Sequence, residues 1–80
     1  MWKVYIVRCS DDTLYTGITT DVERRLYDHN TPSGKGAKYT RMRQPVELVY
    51  VKEMKSRSDA AREEYRIKQL SRKDKLRLID

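Results

Sequence analysis

Trp2–Cys9 (WKVYIVRC) opens the chain with β-branched and aromatic residues in close succession, the signature of a strand. Ser10-Asp11-Asp12-Thr13 has turn chemistry, and Leu14–Ile18 (LYTGI) reads as a second short strand. The link between them is too short for a parallel crossover, so the pair forms a hairpin. Thr20-Asp21-Val22-Glu23 has the spacing of a capping box, in which Thr20 and Glu23 satisfy each other's orphan N–H groups. The helix that follows runs to about His29, with Asn30 as its stop and Pro32 beyond. Val46–Met54 (VELVYVKEM) is a third strand. Ser58-Asp59 caps a helix from about Asp59 to Leu70, and Ser71 with Asp74 starts a last one. Between the first helix and the third strand, residues 31–44 (TPSGKGAKYTRMRQ) form a connection with room for a short helical turn around Ala37–Met42. The order predicts an α+β fold, a three-stranded antiparallel sheet flanked by helices, with residues 1–80 as one domain.

Composition changes this picture in two places. The chain has 80 residues, 18 Lys+Arg against 12 Asp+Glu, a formal charge of +6 and a pI near 9.6. Such an excess on a small body favours a polyanionic partner through counterion release. Much of it lies in the connection, where Lys35, Lys38, Arg41 and Arg43 have no acid beside them. Phe is absent while Tyr occurs six times, a hint that some phenols serve chemistry, because a buried hydroxyl needs a partner. Cys9 is alone, which rules out an internal disulfide and fits a small buried hydrophobe. The apolar run Val4–Val7 is too short for a leader or a membrane span, and the expectation is a soluble, cytoplasmic protein.

Candidate chemistry begins with the hairpin. Tyr5 and Tyr15 sit near the middle of adjacent strands at positions compatible with one shared face. Gly17 removes a side chain from that face, so a ligand or another backbone can come close. A pair of core tyrosines beside a bulge glycine explains the same residues without chemistry. Arg25 and His29 stand four apart on the first helix, on the side of Val22 and Leu26, and point toward the rim of the core. Alternatively, Arg25 is a solvated charge and His29 a cation at a helix C-terminus. On the later helix, Ala60, Ile67 and Leu70 define the buried sector, and Glu63 and Glu64 fall inside or beside it. A carboxylate there calls for an ion pair, with Arg62 or Lys68 in reach, or for a metal. The helical wheel does not choose between the two glutamates.

Taken in order, VYIVRCSDDTLYTGITTDVERRLYDH resembles the GIY-YIG nuclease superfamily. Lys3-Val4-Tyr5 stands where GIY would be and Tyr15-Thr16-Gly17 where YIG would be, with the tyrosines ten residues apart. Arg25 follows Gly17 by eight residues, and His29 lies one turn further on. GKGAKYTRMRQPVELVY and REEYRIKQLSRKDK look like the small, stand-alone, UPF0213-like branch, and the similarity runs essentially the full chain. Three departures stand out. Lys3 replaces the first glycine, Ile18 stands where some members carry lysine, and no asparagine follows the glutamate helix.

The resemblance implies a one-metal phosphodiester hydrolase acting on DNA. Tyr5 would move a proton to or from the attacking water, and Tyr15 would help position water or phosphate. Arg25 would clamp the phosphate oxygens. His29 would be a second proton-transfer or phosphate-contacting group, and Glu64 would hold Mg²⁺ or Mn²⁺, with Glu63 as the alternative ligand. Lys35, Lys38, Arg41 and Arg43 would follow the DNA phosphate backbone, Tyr39 would stack on an unpaired base, and Gly17 would leave room for the substrate. Lacking a base-reading module, the protein is expected to cut single-stranded, branched or flapped DNA with little sequence specificity. The rival readings are a non-catalytic nucleic-acid-binding domain and a nuclease subunit that needs a protein partner. No membrane partner is expected.

Overall fold

A computed structural model describes residues 1–31, 40 and 43–79. Three strands, β1 (Trp2–Arg8), β2 (Leu14–Thr19) and β3 (Glu47–Met54), form one antiparallel sheet in the order β2-β1-β3. Helix α1 (Val22–Asn30) joins β2 to the basic connection, and α2 (Arg57–Lys68) and α3 (Arg72–Ile79) follow β3. The α+β architecture is the expected one. The helical turn expected around Ala37–Met42 lies outside the described residues except for Thr40.

Central β1 sets the two faces. Val4–Val7 are all buried, as a strand covered on both sides must be. Val4 and Ile6 join Ala60 and Ile67 of α2 in one apolar cluster, with Trp2, Ile18, Tyr50 and Leu78 packed around it. Tyr5 and Val7 face the other way, toward Cys9, Val46, Tyr15, Leu26 and Leu48. Period-2 alternation thus divides β1 between an aliphatic core under α2 and α3 and a more polar one under α1.

The β1–β2 turn is tied by its own acids. Asp11 accepts hydrogen bonds from the Thr13 N–H at 3.2 Å and the Thr13 hydroxyl at 2.6 Å. Asp12 adopts φ 68°, a left-handed conformation that Asp tolerates better than most residues. The same turn corrects the reading of Arg43 as a cation without an acid: its Nε–H donates to Asp11 at 3.0 Å. The partner is 32 residues away in sequence, so local charge pattern could not show it.

Two helix starts differ from expectation. Asp21, not Thr20, caps α1, its carboxylate accepting from the Arg24 N–H at 3.1 Å. The Thr19 hydroxyl takes up the Asp21 N–H at 3.1 Å, so Glu23 is not needed in a reciprocal box. Ser56, rather than Ser58-Asp59, caps α2 and accepts from the Asp59 N–H at 3.1 Å, which starts the helix two residues early. At its other end, α2 stops at Lys68, where the Leu70 N–H bonds back to the Ile67 carbonyl at 3.0 Å. Ser71 caps α3 through the Asp74 N–H at 3.2 Å, as its spacing predicts. Among the described residues, no helix is long and apolar enough to cross a membrane.

Candidate active site

The β1–β2 register pairs Tyr5 with Gly17 and Val7 with Tyr15. Tyr5 and Tyr15 therefore lie diagonally on one face, two residues apart along the ladder. The neighbour that takes advantage of Gly17 is Tyr5 itself. A Cβ on Gly17 would sit 2.5 Å from the Tyr5 hydroxyl oxygen and 2.7 Å from its ring carbon Cζ. The missing side chain lets the Tyr5 ring lie flat across β2 and aim its hydroxyl beyond the strand.

There it meets α1. The Tyr5 hydroxyl is 2.8 Å from His29 Nε2, and His29 Nδ1 is 2.7 Å from the Thr40 hydroxyl. His29 and Thr40 are both 0% exposed and Tyr5 is 2% exposed. The Tyr15 ring packs edge-on to the imidazole, centroids 5.4 Å apart. His29 was expected at the rim of the core and as a cation in its bland reading. It lies fully inside instead, because it is on the inward sector of α1 and Thr40 covers its far nitrogen. Burial and the nearby Arg25 guanidinium push its pKa down to about 4, so the ring is neutral at physiological pH. Two polar anchors hold the end of α1 here. Asn30 bonds both backbone groups of Val46, at 3.1 and 2.7 Å, and the Gln44 amide donates to the His29 carbonyl at 2.6 Å.

Arg25, one turn before His29, places its guanidinium near the Tyr5 hydroxyl, where it favours the charged form of the phenol. Even so, burial dominates and pushes the Tyr5 phenol up to about 12, with Tyr15 and Glu64 adding to the rise. The proton thus rests on Tyr5 in the free protein, and a base role requires added positive charge nearby.

The two glutamates of α2, adjacent in sequence, have different surroundings. Glu63 accepts two hydrogen bonds from Arg66, at 2.8 and 2.7 Å, and lies 3.5 Å from the Lys52 ammonium. Arg66 holds its carboxyl below the usual range. It is a structural ion pair turned toward β3. Glu64 is close enough for its charge to raise the Tyr5 pKa, and it pairs with Lys68 at 3.4 Å. Lys68 also stands 5.9 Å from the Tyr15 ring centre, which links α2 to the tyrosine pair.

Tyr5, Tyr15 and His29 thus pack together with Arg25 beside the phenol, and Glu64 of α2 reaches them through its charge on Tyr5 and through Lys68 at Tyr15. Of the residues expected on the substrate path, Gly17 lies at the centre of this cluster and Arg43 at the hairpin turn. Lys35, Lys38, Tyr39 and Arg41 lie outside the described residues. Thr40 is the member that sequence reasoning missed; it sits in a connection without periodicity and carries no local signal. Lys68 was foreseen as an ion-pair partner for a glutamate, but not as a neighbour of Tyr15.

Among the described residues, no three or more His, Cys, Asp or Glu side chains cluster to enclose a metal ion. Glu64 fits a looser mode: its side chain is 24% exposed and its Lys68 partner is half in water. A hard divalent cation held by one such carboxylate keeps most of its own waters. A groove of about 550 Å³ between Leu26, Val46 and Leu48 has none of these five residues in its lining.

Comparison with known proteins places the chain in a known family. The model of the family described as the GIY-YIG catalytic domain matches residues 1–77. A UPF0213 protein of Oceanobacillus iheyensis is 58% identical over 77 residues, which cover 96% of this chain and 87% of that one. A UPF0213 protein of Halobacterium salinarum is 57% identical over 75 residues, covering 94% and 95%. The solution structure of a UPF0213 protein from Bacillus halodurans superposes with a TM-score of 0.61 at 50% identity, covering 99% of this chain and 83% of that one. The chain belongs to the GIY-YIG catalytic domain family, a membership that points to a nuclease.

Proposed function

We propose that this protein is a divalent-metal-dependent DNA endonuclease whose centre is Tyr5, Tyr15, Arg25, His29 and Glu64. The observation that carries the reading is the buried Tyr5–His29 hydrogen bond of 2.8 Å, with the Arg25 guanidinium near the same phenol. A binding module has no need for a neutral imidazole sealed behind a phenol. Burying that pair and its partners is costly unless every polar atom is engaged, and such networks are worth having where protons move.

Each side chain has a task that its surroundings support. Arg25 stands beside the Tyr5 phenol, and its planar guanidinium would grip a phosphate oxygen as charge develops there. Tyr5 passes protons between the reacting water and His29. His29, with both nitrogens bonded inside the protein, is better suited to proton transfer through Tyr5 than to direct phosphate contact. Tyr15, half-exposed beside Lys68, positions water or phosphate at the mouth of the cluster. Glu64 would hold Mg²⁺ or Mn²⁺; the bound cation supplies positive charge for the leaving oxygen and for lowering the acidity threshold of nearby groups. Glu63, taken up by Arg66 and Lys52, is the weaker candidate ligand.

The excess positive charge and the Lys35, Lys38, Tyr39, Arg41 and Arg43 stretch support contact with the DNA backbone, and the lack of a base-reading module suits single-stranded, branched or flapped DNA cut with little sequence specificity. Labelled single-stranded, duplex and flapped substrates, incubated with pure protein and Mg²⁺, Mn²⁺ or EDTA, test the reading. Cleavage that needs the metal and ranks the flexible forms first is the expected result. Tight DNA binding with no cleavage in any condition would instead favour the binding module or a nuclease subunit awaiting a partner.

A further inference from the structure

Among the described residues, the Tyr5 phenol oxygen meets His29 Nε2 at 2.8 Å, and the Arg25 guanidinium lies near enough to favour its charged form. A guanidinium can only donate, so it offers the phenol hydrogen no acceptor. The phenol hydrogen is left to point at His29 Nε2, its acceptor among the described residues at 2.8 Å. A nitrogen that accepts carries no hydrogen. A neutral imidazole has one N–H, which must then be on Nδ1, and Nδ1 lies 2.7 Å from the Thr40 hydroxyl oxygen. The chain of donors and acceptors has one consistent direction: Tyr5 to His29, His29 to Thr40.

We propose that Thr40 is a positioning residue that holds His29 in the Nδ1–H tautomer, leaving Nε2 bare to receive the Tyr5 proton. The Thr40 oxygen is the group that makes this tautomer affordable, because His29 and Thr40 are both 0% exposed. Without it, Nδ1–H would be buried with no acceptor at that distance among the described residues, and the ring would gain by moving its hydrogen to Nε2. In that state Nε2–H donates to Tyr5, and the phenol has lost its proton acceptor. With Thr40 in place, the Tyr5 O–H bond can break as a His29 Nε2–H bond forms, giving phenolate and imidazolium while Nδ1–H stays bonded to Thr40. The consequence for cleavage rests on the nuclease reading; the tautomer itself does not.

His29 is the sole histidine in the sequence, so ¹⁵N-labelled histidine reports one imidazole. Nitrogen–proton correlation spectra at neutral pH are expected to show Nδ1 protonated and Nε2 bare in the unmodified protein. Thr40→Val should move the ring toward the Nε2–H form and lower DNA cleavage by about tenfold, the scale of one productive hydrogen bond. Thr40→Ser should restore both. An unmodified ring protonated at Nε2 overturns the proposal even if Thr40→Val fails to fold. So does a folded Thr40→Val protein whose ring remains in the Nδ1–H form. The expected spectra in a protein that cuts no DNA would uphold the role of Thr40 and count against the nuclease reading alone.

Discussion

Along β1, Val4 and Ile6 send their side chains to one face of the sheet while Tyr5 and Val7 send theirs to the other. On the first face, Ala60 and Ile67 complete an aliphatic cluster with no polar side chain among its buried members. On the second, at the same depth, a phenol, an imidazole and a threonine hydroxyl form a continuous hydrogen-bonded chain. Aliphatic burial is non-directional and tolerates many solutions, whereas the polar chain is favourable only if each atom meets its partner. The first face holds the domain together, and on our proposal the second uses that rigidity to fix the direction of a proton path.

The comparison breaks most sharply at Tyr5. Tyr5→Phe keeps the ring over Gly17 but deletes the hydroxyl, and single-turnover cleavage is expected to fall about 10²–10⁴-fold. Its fold should survive in circular dichroism, with a loss of about 1–3 kcal/mol from leaving His29 Nε2 unpaired. Ile67→Ala should do the opposite. Urea unfolding is expected to show a loss of about 2–5 kcal/mol from the cavity, with cleavage per folded molecule unchanged. If Ile67→Ala slowed chemistry as much as Tyr5→Phe, the two faces would not be functionally separate.

Gly17→Ala probes the seam between the strands. The added methyl meets the Tyr5 hydroxyl, and overpacking of this kind costs about 1–3 kcal/mol. The phenol must move, so cleavage should drop along with stability, and the His29 hydrogen bond should weaken in the same sample. Unchanged melting and cleavage would mean that the ring does not lie where the structure has it.

A pH titration of stability sharpens the same contrast. His29 has a folded pKa of about 4, below the unfolded value of 6.5. The unfolded chain therefore takes up a proton first as pH falls, and stability present above pH 6.5 drains away toward pH 4. Between neutral pH and pH 5 the loss from this one group is about 2 kcal/mol. Denaturant unfolding at the two pH values measures it, and His29→Gln should flatten the difference. Equal sensitivity in His29→Gln would assign the pH dependence elsewhere. Asp11 and Glu63 are also lowered, from ordinary values of 3.8 and 4.5 that already lie below pH 5, so they do not contribute to the difference between neutral pH and pH 5 in the way His29 does. The smallest effect belongs to Glu63. Glu63→Gln removes an ion pair with a half-exposed Arg66, worth at most about 1 kcal/mol, and should leave cleavage intact.

Much of this was legible in the chain because it follows short periods. Two-residue alternation and a short turn put Tyr5, Tyr15 and Gly17 on one face, and four-residue spacing put Arg25 and His29 on one side of α1. Capping was legible in kind but not in position. Thr19, Thr20 and Asp21 all offer side-chain oxygens within three residues, and only the backbone path decides which one meets the free N–H groups. Glu63 and Glu64 straddle the edge of the buried sector, so the wheel left them equivalent; Arg66, Lys52 and Lys68 distinguish them in space. Thr40 and the Arg43–Asp11 pair depend on where an aperiodic connection returns to the core, which no local pattern encodes.

The most direct test of the central claim is metal-dependent DNA cleavage by the unmodified protein beside Arg25→Ala and Glu64→Ala, each first shown to be folded. Cleavage by the unmodified protein with Mg²⁺ or Mn²⁺, abolished by EDTA and by either substitution, is the predicted result. Cleavage at the unmodified rate in both variants would contradict the assignment of the centre to the Tyr5–His29 face.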